Sequence, residues 1–209
     1  ARVYQAGSSE MFGNECDPDG FRRETTLMRP VSPYGCAKVY AYNLGKVYRS
    51  SYDMFVSNGI LFNHESPRRG LNFVTNKVVD GAIKIYKGFE EDLALGNLSA
   101  TRDWGHAKDY VKAMWMMLQH EEPDDFVCAT GKSHSVEQLC EAVFSHLGLD
   151  WRAHITIDPK YYRPTELTDL KGDYSKLKKV LGWTPEYTFE KMIAEMIETR
   201  LATYNDKEL

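Results

Sequence analysis

The sequence predicts an α/β protein built on a parallel sheet, and three observations carry that expectation. The run "RVYQAG" (Arg2 to Gly7) reads as a short strand ending on glycine. A helix opens at Ser32-Pro33 and runs to about Tyr52. "MFVSNGILFN" (Met54 to Asn63) is apolar enough for a strand buried in a sheet. Strand, helix and strand at this spacing form a βαβ unit.

The elements follow in chain order. "SSEMFG" comes directly after the first strand, and "NECDPDGFRRETTLMR" is polar, carries a Pro-Asp-Gly turn and reads as a loop. Ser32 is a good N-cap, and Pro33 suits the first helical position because its missing N–H is an orphan donor there anyway. Ala37, Ala41, Leu44 and Val47 or Tyr48 are the candidate core positions of this helix. "HESPRRG" is a loop, and "FVTNKVVDGAIKIYKG" is helical, with Val74, Val78, Ala82 and Ile85 on one stripe. "LALG" reads as a short strand and "NLSATRDWG" as a loop. A helix from about His106 to Gln119 offers "AMWMM" to a core, and "DFVCATG" is a further strand. Ser135 and Gln138 form a capping box, "HITID" is strand-like and "PKYYRPTE" a loop. Two helices close the chain, the last with Phe189, Met192, Ile193, Met196, Ile197 and Leu201 on one face.

Composition narrows the classes. The 209 residues allow one large domain or two small interleaved ones, and 43% hydrophobic with 27% charged residues is globular usage. A formal net charge of -4 gives no general attraction to nucleic acid or to an anionic membrane. There is no apolar run of about 18 or more residues, so no transmembrane helix is expected. The N-terminus does not read as a signal peptide, and it begins without Met on a strand-like run, which suggests a start inside a longer protein. Cys16, Cys36, Cys128 and Cys140 form no C-x-x-C pair, which fits a reducing, cytoplasmic compartment. The histidines lack metal-ligand spacing, so no metal site is expected.

Tyr34 and Lys38 lie one turn apart on the Ser32-capped helix. Taken alone, this is a surface pair. A lysine ammonium beside a tyrosine favours the phenolate, which otherwise forms only near pH 10, and so makes a usable base. Ser8 and Ser9 sit just past a strand end, where open α/β sheets place their ligands. With a serine there to hydrogen-bond a substrate oxygen, the pair reads as functional rather than incidental.

At this point the chain resembles the extended short-chain dehydrogenase/reductase family and, within it, the GDP-mannose 4,6-dehydratases. The stretches that carry the likeness are "SSEMFG", "SPYGCAK", "NGILFNHESPRRG", "FVTNK", "LGNLSATRDWGHAKDYV", "ATG", "YYRPTE" and "LGWTP". They span nearly the whole chain, and "NHESPRRG" and "RDWGHAKDYV" are specific to the dehydratases. The resemblance implies an incomplete Rossmann-type parallel sheet interleaved with a smaller α/β substrate-binding domain. Residues 1–64 and 106–131 would belong to the dinucleotide-binding part, and 65–105 and 132–209 to the sugar-nucleotide-binding part. The family's glycine-rich cofactor turn has no counterpart here, because no G-x-x-G-x-x-G or G-x-G-x-x-G occurs.

The resemblance also implies a reaction and a site. GDP-mannose would lose water and become GDP-4-keto-6-deoxymannose, with NADP taking hydride from C4 and returning it to C6. Ser8, Glu10, Tyr34 and Lys38 are the implied catalytic set. Tyr34 takes the C4 hydroxyl proton, and Glu10 takes the C5 proton and helps water leave from C6. Threonine often stands in the family where Ser8 stands, and the hydroxyl is kept. Tyr34, Lys38, His64 and Arg69 are implied on the cofactor side, with Arg68 an open alternative to Arg69. Ser9, Asn63, Val74, Lys77, Arg102, Arg163 and Glu166 are implied around the sugar nucleotide, where lysine and bidentate arginine suit a diphosphate. A homo-oligomer, dimer or tetramer, is expected. A GDP-sugar reductase or epimerase remains an alternative that Glu10 disfavours, and so does a non-catalytic sugar-nucleotide-binding protein.

Overall fold

The computed structural model describes residues 1–162, 167 and 169–205. In chain order the main elements are β1 (Arg2–Ala6), α1 (Pro33–Tyr52), β2 (Phe55–Leu61), α2 (Val74–Tyr86), β3 (Leu93–Leu95) and α3 (Ala107–Gln119). They continue with β4 (Asp125–Cys128), α4 (Val136–His146), β5 (Ile155–Ile157), α5 (Ser175–Leu181) and α6 (Phe189–Asn205). "NLSATRDWG", expected as a loop, contributes to two short strands, Thr101–Arg102 and Trp104–His106.

The chain folds into two compact units. The first holds Ala1–His64, Arg102–Ser133 and Leu167–Glu186. The second holds residues 65–101, 134–162 and 187–205 of those described. The expected boundaries shift: residues 102–105 and 132–133 join the first unit, and Leu167–Glu186 returns to it instead of staying with the sugar-nucleotide part. The cause is apolar. Leu167 and Leu170 pack with Met11, Phe12, Ile60 and Phe62, while Leu177 and Trp183 pack with Leu61, Tyr110 and Phe126.

The first unit is a parallel sheet in the order β1-β2-β4. Its register pairs Ala6 with Gly59 and Leu61 with Cys128. Side chains alternate across a strand, so neighbours on β2 enter opposite layers. Ile60 joins Val127 and Tyr42 of α1, whereas Leu61 joins Phe126, Cys128 and Tyr110, Ala113 and Met117 of α3. Helices on both faces explain why β2 is buried along nearly its whole length. On β4 the Val127 N–H donates to the Glu24 carboxylate at 2.7 Å, so a loop side chain occupies a ladder donor. Burial pushes the Glu24 carboxyl up, and this N–H pulls it back.

Two core expectations fail here. On α1 the buried residues are Gly35, Tyr42 and Gly45, while Leu44, Val47 and Tyr48 are 38%, 49% and 40% exposed. Ala37 is exposed and Ala41 half-buried. The helix turns a small and polar side to the sheet, because a Cβ on Gly45 would stand 2.9 Å from Asn58 Oδ1 and 3.2 Å from Val56 Cγ1. A buried carboxylate holds it there. Asp125 accepts from Tyr42 Oη at 2.8 Å, Arg49 Nη2 at 2.7 Å and Asn58 Nδ2 at 2.8 Å. In "AMWMM", Ala113 and Met117 are buried as expected, but Trp115 is 61% exposed.

The second unit follows the apolar pattern. α2, α4 and α6 pack against one another, and β3 pairs in parallel with β5. Val78, Ala82 and Ile85 of α2 are buried, as are Phe189, Met192, Ile193, Met196 and Ile197 of α6. Asp80 ties the two helices by accepting from Arg200 Nε at 2.7 Å and Tyr204 Oη at 2.9 Å. Ser135 and Gln138 cap α4 reciprocally, at 3.0 and 2.9 Å.

Candidate active site

The site in the first unit begins where β1 ends. Gly7 N–H donates to Gly59 O at 2.7 Å, and a Cβ on Gly7 would stand 2.8 Å from that oxygen. The strand therefore needs glycine at this close approach. Ser8 then caps a short 3₁₀ turn, Ser9–Phe12, by accepting from Glu10 N–H at 3.2 Å. Met11 and Phe12 are fully buried and anchor the turn from below. Ser8 and Ser9 are buried and Glu10 is half-buried.

The second piece is the start of α1. Ser32 Oγ accepts from Gly35 N–H at 3.0 Å and donates to Glu10 Oε2 at 3.0 Å. Gly35 makes that proximity possible, since a Cβ there would stand 2.8 Å from Glu10 O. One turn along, Lys38 Nζ donates to Ala6 O at 2.9 Å and lies 5.4 Å from the Tyr34 ring centre. Tyr34 is 53% exposed. Ser8, Ser9, Glu10, Tyr34 and Lys38 are thus gathered at the carboxyl end of β1 by one turn, one cap and one lysine.

Other expected residues of this unit are Asn63, His64 and Arg102. Asn63 follows β2 and is half-buried. His64 Nδ1 is 2.9 Å from Phe62 O, and its ring stacks on Tyr110 at 4.8 Å. Arg102 is buried, and its Nη1 donates to Leu167 O at 2.8 Å. The expectation missed Asp103, which accepts from Thr130 N–H at 2.8 Å, Thr130 Oγ1 at 2.7 Å and Gly131 N–H at 2.9 Å. Burial pushes the Asp103 carboxyl up to about 6 while those donors pull it down. A single aspartate beside an arginine carries no periodic signal, so sequence alone could not mark it.

The second unit carries Arg69, Val74 and Lys77. Arg69 Nε pairs with Glu65 Oε2 at 3.0 Å, and its guanidinium lies 3.5 Å over the Phe73 ring. Thr75 Oγ1 donates to the same buried carboxylate oxygen at 2.6 Å. Burial pushes Glu65 up, and Arg69 and Thr75 oppose it. Arg68 is exposed. Val74 is the first residue of α2 and half-buried. Lys77 Nζ donates to Ala94 O at 2.7 Å and lies 3.6 Å over the Tyr161 ring. Arg163 and Glu166 lie outside the described residues. No cluster of three or more potential metal ligands occurs among the described residues.

Parallel strands flanked by helices, with serines at a strand end and a Tyr-x-x-x-Lys helix beside them, define a Rossmann-type protein of the short-chain dehydrogenase/reductase kind. A solved structure of RMD from Pseudomonas aeruginosa, complexed with NADPH, shares this fold. It matches with a TM-score of 0.86 at 19% identity, over 95% of this chain and 66% of that one. The family model for GDP-mannose 4,6 dehydratase matches residues 1–196, and the chain belongs to that family. It is 50% identical over 200 residues to GDP-mannose 4,6 dehydratase 1 of Arabidopsis thaliana, covering 96% of this chain and 55% of the relative. It is 48% identical over 213 residues to the GDP-mannose 4,6 dehydratase of Homo sapiens, covering 94% and 57%. The chain therefore spans about half the length of the curated relatives it matches.

Proposed function

We propose that this chain carries the catalytic and sugar-nucleotide-binding residues of an NADP-dependent enzyme that dehydrates GDP-mannose to GDP-4-keto-6-deoxymannose. The observation that carries the reading is the placement of Glu10, held on the same turn as Ser8 and bonded through Ser32 to the helix of Tyr34 and Lys38. Family membership and the names of the relatives support it.

The residues fit one end of a dinucleotide. Lys38, fixed to Ala6 O beside Tyr34, can hold a nicotinamide ribose at the strand end. The sequence contains no glycine-rich motif to cradle the pyrophosphate. NADP, when bound, supplies the acceptor and donor of hydride. In this reading the chain does the rest. The Ser8 hydroxyl hydrogen-bonds the sugar O4, and Tyr34 Oη takes its proton, with Lys38 one turn along the same helix. Glu10 then takes the proton from C5, acidified by the C4 ketone, and passes a proton to the departing C6 oxygen. Arg102 and Lys77, with Arg163, supply positive charge for the diphosphate. Asn63, Val74, Ser9 and Glu166 contact the nucleotide sugar, and His64 and Arg69 stand on the cofactor side.

A homo-oligomer is part of the proposal, supported by the exposed apolar residues Leu44, Val47 and Tyr48 on α1. Among the described residues no helix is long and apolar enough to cross a membrane. A cytoplasmic location belongs to the same reading.

The deciding experiment is Glu10→Gln in the full-length protein. Dehydration needs a base at C5, so 4-keto-6-deoxy product should vanish while GDP-mannose binding persists. Normal product formation would sink the dehydratase reading.

A further inference from the structure

Ser32 joins two parts of the candidate site that the chain separates by twenty-two positions. Its oxygen accepts from Gly35 N–H and so caps α1. A serine hydroxyl has one proton and two lone pairs. Capping uses a lone pair and leaves the proton, which goes to Glu10 Oε2 at 3.0 Å. The positive end of the helix dipole also favours a carboxylate at this place.

We infer that Ser32 is a positioning residue for Glu10, holding that carboxylate in register with Tyr34 two residues further on. The inference rests on the reading of Glu10 as the base. It differs from simple capping in one chemical respect. A cap needs only an acceptor, whereas orienting a carboxylate needs a donor. Aspartate at position 32 can cap as well as serine. It cannot donate to Glu10 and sets a second negative charge against it. Threonine keeps both the acceptor and the donor.

The test compares Ser32→Asp, Ser32→Thr and Ser32→Ala with Glu10→Gln in the full-length protein, by steady-state kinetics with GDP-mannose and by thermal unfolding. Ser32→Asp should unfold like wild type yet lose about tenfold to 10²-fold in kcat, the cost of a misplaced catalytic group, with KM nearly unchanged. Reduced nicotinamide should accumulate during its turnover, because proton removal at C5 slows and oxidation at C4 does not. Ser32→Thr should recover most of the kcat lost in Ser32→Ala. Wild-type kcat in Ser32→Asp, with Glu10→Gln inactive, would overturn the inference and leave the proposed function standing. Should Ser32→Asp fail to fold, Ser32→Ala decides. A loss without accumulated reduced cofactor would make Ser32 a cap and nothing more. An active Glu10→Gln would instead remove the reading on which the inference depends.

Discussion

Helices α1 and α6 look alike in sequence and behave oppositely. Each carries apolar residues at helical spacing. In α6 that stripe is buried, with Met192, Ile193, Met196 and Ile197 near zero exposure. In α1 Leu44, Val47 and Tyr48 face outward, and the helix meets its sheet through Tyr42 and Gly45. α6 is held along most of its length by transfer of apolar surface out of water, with Asp80 bonding only its last turns through Arg200 and Tyr204. α1 is held at its middle by the Asp125 network and at its start by Ser32 and Lys38. The difference matches what each helix has to do. A greasy face fixes a helix against its neighbours but tolerates small slides, whereas directional bonds fix the rotation and height at which Tyr34 and Lys38 stand beside β1.

Three substitutions in the full-length protein would break or sharpen that contrast, each read as a shift in the urea unfolding midpoint. The largest effect is expected for Asp125→Ala, which strands the buried Arg49, Tyr42 and Asn58 groups. Loss of one partner from a buried charged network costs about 3–5 kcal/mol. A loss under about 1 kcal/mol would mean that α1 is held mainly by apolar contacts after all. Next comes Ile197→Ala on α6, where a deleted buried side chain should cost about 2–4 kcal/mol. The smallest is Val47→Ser on the outer face of α1, expected to stay within about 0.5 kcal/mol as an exposed change. If Val47→Ser cost as much as Ile197→Ala, the outer face of α1 would be covered in the native protein and the contrast would dissolve into oligomer contacts. Its effect on oligomer size, measured by light scattering, separates those cases.

Much of this protein could be read from its residues in order. The βαβ unit followed from the apolar content of β2 and the Ser-Pro start of α1, because both depend on neighbours in the chain. The capping box on α4 and the buried stripe of α6 are local for the same reason. The family came from motifs, and with it the expectation about Ser8, Glu10, Tyr34 and Lys38. The identity of those residues lies in the sequence, and so does their chemistry.

Only the tertiary structure decided which side of α1 turns inward, where the second unit ends and what holds Glu10. Hydrophobic periodicity measures how much a face gains by leaving water, and it cannot register a face that is buried for close approach and hydrogen bonding. Gly45 against Asn58 is a matter of space, and Asp125 meets Arg49 from 76 positions away. The return of Leu167–Glu186 to the first unit rests on pairings as distant, such as Leu177 and Trp183 against Leu61 and Phe126. Ser32 was legible as a cap, since capping is local. Its bond to Glu10 spans a loop of polar residues that no pattern constrains, and it exists because β1 and α1 pack side by side.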